Sequence, residues 1–152
     1  MPEAHTKGLL HRTVIAELIN PFGGWTLTKQ TSDRQDPYKL VSPIGGHVLA
    51  GESEIEALKR ESEKETGITD FKFKLVGRKV FNRFVRNRQE NHLFIVFEIY
   101  SSKKPVVSKE SIDFKRFTKE MLIRSLRQKP EIFGEAFFFV IRNFYPKMLV
   151  SG

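Results

Sequence analysis

The stretch from Gly45-Gly46-His47 through Gly51-Glu52-Ser53 to Gly67-Ile68 constrains this chain more than any other. It reads as a glycine-rich loop feeding a short helix. Ser53 is placed to cap that helix, and Glu56, three residues on, completes a capping box. Gly67 is placed to end it in the left-handed conformation that glycine adopts cheaply. At about 100° per residue, Glu61 and Glu65 lie roughly 40° apart on the helix surface, with Leu58 beside them on the packing side. Two carboxylates half-turned toward the body of a protein are costly unless a positive group sits between them. A divalent cation meets that need, and oxygen ligands suit Mg2+ or Mn2+. From charge alone the alternative carries equal weight: a solvated acidic face balanced by Lys59, Arg60 and Lys64.

Composition narrows the rest. A chain of 152 residues is expected to form a single domain over 1–152, large enough for a real core. Fourteen phenylalanines supply that core. With no cysteine, disulfides, thiolate metal sites and cysteine nucleophiles are excluded. No apolar run approaches the ~20 residues of a membrane span, and the N-terminus has no apolar signal core, so the expected location is the cytoplasm. A net charge of +8 favours polyanionic partners, whether nucleic acid, lipid headgroups or phosphorylated metabolites.

Taken in order, His11 to Asn20 reads as a strand, Pro21-Phe22-Gly23-Gly24 as a turn, and Trp25 to Gln30 as its hairpin partner. Leu40 to Ile44 is a short strand leading into the glycine loop. Phe71 to Phe84 reads as one bent strand with a bulge at Gly77. A basic turn over Arg83 to Glu90 leads to a long apolar strand from His92 to Tyr100. Ile112 to Phe117 is a further strand, and Thr118 caps a helix that stops before Pro130. The spacing predicts one last helix from Glu131 to Tyr145, with Phe138 and Phe139 overflowing its apolar face as extra core or as a homodimer contact. The fold class expected is α/β in the broad sense (α+β): a mixed β-sheet sandwiched between helices. Trp25, the sole tryptophan, reads as core, with base stacking its second use.

The spacing from Gly46 to Ile68 resembles the Nudix box: Gly, five residues, Glu, seven residues, Arg-Glu, an apolar residue, any residue, Glu-Glu, any residue, Gly, apolar. Gly46, Glu52, Arg60, Glu61, Glu65, Gly67 and Ile68 all fall in place. Ser62 stands where an apolar residue is usual, and Lys64 where the first glutamate of the pair is usual. The resemblance implies a Nudix-like fold, with Glu61 and Glu65 holding Mg2+ or Mn2+ at a diphosphate and Glu52 holding the loop or a metal-bound water. Beyond the box, the chain resembles the isopentenyl-diphosphate isomerase branch of the superfamily. His5, His11 and His47 match its metal-binding histidines, and Glu90-Asn91-His92 matches its acidic segment with the second glutamate changed to histidine. Glutamate and histidine together shift preference toward transition metals such as manganese or zinc. Isomerisation itself needs an acid opposite a base, and the cysteine that the branch uses before Gly-His is Gly45 here.

The function expected is therefore a divalent-metal-dependent hydrolase that cleaves a diphosphate linkage in a nucleoside diphosphate-type small molecule. Lys29, Arg34, Arg83 and Arg86 are the expected phosphate grips, since guanidinium forks match phosphate oxygens. The proton acceptor is open among Glu61, Glu65, Glu90 and His47. Lys64, Ser62 and the positive charge motivate a second reading, a Nudix-like module that binds RNA or a phosphorylated ligand without turnover. An isomerase-like enzyme ranks third.

Overall fold

Among the described residues, seven strands form a single mixed sheet, and its two central strands explain where everything else sits. The computed structural model describes residues 10–31, 38–85, 88–107 and 111–150. Strand β1 (Leu10–Ile19) pairs in parallel with β6 (Arg88–Tyr100), from Leu10 opposite Asn91 to Ile19 opposite Tyr100. The antiparallel strand β5 (Lys72–Val85) closes one edge against β6. On the other side β1 meets β2 (Trp25–Gln30) and β4 (Ile44–His47), both antiparallel. Strand β3 (Leu40–Val41) and β7 (Ser111–Phe117) flank β2.

Strands alternate their side chains, so β1 supplies two different faces. Val14, Ala16 and Leu18 pack with Ile95, Phe97 and Ile99 beneath helix α1 (Glu54–Thr66), which adds Ala57 and Leu58. Ile15 and Ile19 face the other way, toward α3 (Glu135–Phe144) and α2 (Lys119–Gln128), whose Val140, Ile141, Leu122 and Leu126 are buried. The architecture is α+β, a mixed sheet between helices, as its residues imply.

Local signals mostly hold. Ser53 caps α1 with Glu56 in a reciprocal capping box, and Gly67 ends it at φ 75°. The bulge in β5 falls between Leu75 and Gly77. Thr118 caps α2, which stops at Gln128. Trp25 is core, 4% exposed. Phe138 and Phe139 both pack against the core as partly buried rings.

Three expectations need correction. The segment from Leu40 to Ile44 is two strands, because Ser42-Pro43 interrupts the ladder and β4 pairs with β1 instead of β2. Gly45, Gly46 and His47 accordingly lie in a strand and not in a loop. The basic turn is shorter than expected: β5 runs to Val85 and β6 starts at Arg88. The last helix is not continuous. A 3-10 turn over Pro130–Ile132 gives way at Phe133, which bridges to Leu40, and the Gly134 N–H donates to the Leu40 carbonyl at 2.9 Å. Pairing with β3 there takes the backbone hydrogen bonds that a continuous helix would have used. No described helix is long and apolar enough to cross a membrane.

Candidate active site

Consecutive residues of β4 point to opposite faces of the sheet, and this splits the candidate site into two halves. Gly46, opposite Val14, turns toward α1. His47, opposite Thr13, turns toward α3.

On the α1 side, Glu61 and Glu65 are 2% and 6% exposed, far more enclosed than a solvated helix face allows. Glu61 presses against the backbone of Gly46: a Cβ there would lie 2.3 Å from Oε2 and 2.6 Å from Oε1 of that carboxylate. Only glycine fits. Arg60 ties the half together. Its Nε donates to Glu52 Oε2 at 2.8 Å and its Nη2 to Glu52 Oε1 at 3.0 Å, a bidentate fork. The same Nη2 donates to the His47 carbonyl at 2.9 Å, and Nη1 reaches Glu61 Oε2 at 3.4 Å. Glu52 also accepts the Leu49 N–H at 3.0 Å. The Arg60 fork, helped by that N–H, holds the Glu52 carboxyl down at about 2. Lys64 Nζ lies 3.9 Å from Glu61 Oε1, where the box usually carries another carboxylate. Ser62, in an apolar position of the pattern, is fully buried and donates to the Ile68 carbonyl at 2.7 Å, so its hydroxyl is satisfied inside the core.

On the α3 side a cleft of about 350 Å3 is lined by His11, His47, His92, Arg83 and Glu90. Three strands bring the imidazoles together. His11 and His47 stack at 5.3 Å between ring centroids, His47 and His92 at 5.8 Å, and His11 lies 6.1 Å from His92. Thr13 Oγ1 and His92 Nδ1 are 3.1 Å apart, and His92 Nε2 is 3.7 Å from Glu90 Oε1. Burial lowers the His92 pKa, and His47 lowers it further, against the opposing pull of Glu90. Arg83 lies over the Phe81 ring, with Nε 3.8 Å from Glu90 and Nη1 3.5 Å from Glu135.

The structure therefore gathers Glu52, Arg60, Glu61 and Glu65 around Gly46, and His11, His47, Glu90, His92 and Arg83 around the cleft. Among the described residues, no group of three or more histidine and acidic side chains sits close enough to hold a metal ion. His5, Arg34 and Arg86 lie outside the described residues. Lys29 is exposed on β2, and its neighbour Gln30 is the one that lines the cleft.

The family model of the NUDIX domain matches residues 9–135, which spans both halves of this site. The chain belongs to the NUDIX domain family. No curated protein matches it. Among solved structures it is similar to a Deinococcus radiodurans protein (TM-score 0.72, 20% identity, covering 89% of this chain and 83% of that one). It is also similar to the MutT protein of Methanosarcina mazei (0.70, 25%, 91% and 92%). A third is an Ap4A hydrolase of C. elegans (0.56, 17%, 75% and 84%). These likenesses place the mixed sheet and its helices in the Nudix fold.

Sequence reasoning missed several cleft residues. Thr13, Gln30, Ser42, Phe94 and Phe137 all line it. Thr13 had a findable signal, since it lies two residues beyond His11 on one strand and must share its face. Ser42 and Phe137 had none, because only the crossing of β3 and α3 brings them there.

Proposed function

We propose that the chain is a divalent-metal-dependent hydrolase that cleaves a diphosphate linkage in a nucleoside diphosphate-type small molecule. One observation carries the reading: two carboxylates, Glu61 and Glu65, are enclosed on one helix, and one of them fills the space that Gly46 leaves open. An all-oxygen donor pair of this kind fits Mg2+ or Mn2+, and Glu61 and Glu65 are the residues that would hold it. Such an ion would neutralise the diphosphate oxygens and make water a better nucleophile.

The chain's own residues do the rest. Arg60 fixes Glu52 and the His47 carbonyl in one rigid frame, so the helix and β4 cannot slide apart. Arg83 supplies a cation at the cleft, and the three imidazoles with Phe94 offer ring faces to the remainder of the substrate. In the reaction a water oxygen bonds to phosphorus as the bridging P–O bond breaks. The water proton passes to one of the nearby acceptors, Glu61, Glu65, Glu90 or His47. The gathered histidines are what the isomerase-like branch contributes to this reading; Gly45, exposed on β4, supplies none of the acid that alkene isomerisation needs.

The test is incubation with magnesium or manganese and a panel of nucleoside diphosphate compounds, comparing wild type with Glu65→Gln. Phosphate release by wild type and its loss in the variant are expected. Equal release by both proteins would remove Glu65 from the site. The second reading, a phosphate- or RNA-binding module, rests on the Lys64 ammonium beside Glu61. It predicts no metal-dependent release by either protein and binding that weakens steeply with salt.

A further inference from the structure

The same sheet face that carries the histidine cleft carries a second cavity at its other end. Between His11 and Ile19 the strand advances eight residues, roughly 26 Å. There a cavity of about 630 Å3 is lined by Trp25, Tyr100, Tyr145, Phe144, Ile123 and Glu98. None of these residues belongs to the box or to the cleft.

The sheet beneath it carries two carboxyl groups, of which Glu98 lines the cavity. Glu17 and Glu98 are register partners on the two central parallel strands. Glu17 is fully buried and accepts the Ser42 hydroxyl at 2.5 Å. Burial pushes its carboxyl up to about 8, so at neutral pH it holds a proton. Glu98 accepts two phenol hydrogen bonds, from Tyr100 at 2.5 Å and from Tyr145 at 2.6 Å. Each Glu98 oxygen thus takes one phenol O–H, which fixes the plane of the carboxyl group against the aromatic wall. Burial and Glu98 hold the Tyr100 phenol up at about 12, and Tyr145 is raised in the same way, so both remain donors. Each carboxylate oxygen can accept a further bond. Trp25 and Tyr145 meet edge to face at 5.0 Å and give the wall its aromatic surface. A carboxylate placed among aromatic rings matches a cation with an apolar body, through charge pairing and cation–π attraction together. Lys119 and Lys147, both exposed, also line the cavity and oppose any cation near them, so the amine must sit at Glu98 against the aromatic wall.

We propose that this cavity is a second small-molecule site, which binds an organic monocation of the amine class through Glu98 against the Trp25–Tyr145 wall. The proposal is independent of the hydrolase reading.

Trp25 is the sole tryptophan and therefore its own reporter. The probes are phenethylamine, the neutral 2-phenylethanol and the anionic phenylacetate, titrated into the full chain while Trp25 fluorescence is followed. Phenethylamine is expected to give a saturable change in the millimolar range or below, with 2-phenylethanol at least tenfold weaker and phenylacetate silent. Glu98→Gln should weaken phenethylamine at least tenfold, to the level of the alcohol. Because that variant also alters two phenol contacts, Ile123→Phe serves as a second one. It fills the cavity without touching Glu98, and should abolish the response while the melting temperature holds. Equal binding of amine and alcohol, no saturable response to the amine, or wild-type binding by a folded Ile123→Phe would each overturn the proposal.

Discussion

Glu52 and Glu17 are the same residue type on the two sides of one sheet, and the fold drives them to opposite states. On the α1 side Glu52 is gripped by the Arg60 fork and held at about 2. On the α3 side Glu17 has a single serine donor and complete burial, and is pushed up to about 8. The first side surrounds its carboxylates with cations, Arg60 and Lys64 among them, and keeps Glu52 charged. The second embeds polar groups within the sheet itself, His11 opposite His92 and Glu17 opposite Glu98, and holds Glu17 neutral by excluding water. Environment, not residue type, decides which carboxyl carries charge.

That contrast breaks most visibly at Glu17. An acid whose folded pKa lies above its unfolded value holds its proton longer in the native state, so stability falls as pH rises from about 4.5 to about 8. Glu17→Gln removes the titrating group and keeps the shape. At pH 5 the variant should match wild type in urea unfolding. At pH 8.5 it should be the more stable, by on the order of a few kcal/mol. Parallel pH profiles for the two proteins would mean that Glu17 is not held neutral.

The α1 side is more exposed to a steric challenge. Gly46→Ala places a methyl where the Glu61 carboxylate sits, at 2.3 to 2.6 Å, and one of the two must move. A displacement of about 1 Å at a positioning group costs about 100-fold in rate. Under the proposed hydrolase reading, turnover by Gly46→Ala should fall by that order in kcat, with KM changing far less. A variant with full kcat would separate Glu61 from catalysis.

The two sides were unequally legible in the sequence. Everything that defines the α1 side lies within one helix and the strand before it. Ser53, Glu56 and Gly67 fixed its ends, and the 3.6-residue period placed Glu61, Glu65 and Leu58 on one stripe. The α3 side is assembled from β1, β4 and β6, and no local spacing links His11, His47 and His92. Only resemblance to a family grouped them. Glu17 gave no signal at all, since a glutamate between Ala16 and Leu18 looks like the solvent-facing step of an alternating strand, and it is buried only because α3 covers that face. The break at Gly134 was hidden for the same reason: its cause is Leu40, far away in the chain.

The smallest effect concerns Arg60, whose fork keeps the Glu52 carboxyl low. Arg60 is about a third exposed and Glu52 is only partly enclosed, so losing the pair should change global stability little. Its titration, in contrast, should move clearly. A carboxyl with a depressed folded pKa contributes its stabilisation above the ordinary glutamate range and loses it as pH falls toward about 2. In Arg60→Gln the fork is gone and the Leu49 N–H remains, so Glu52 should titrate closer to the ordinary glutamate value of about 4.5. Carboxyl carbon shifts followed by NMR between pH 1.5 and pH 6, without added metal, measure this directly. Glu17 serves as the internal reference, because a carboxyl pushed up to about 8 should hold its shift across this window in both proteins. A Glu52 midpoint still near 2 would show that the backbone N–H, not Arg60, sets the charge on the α1 side.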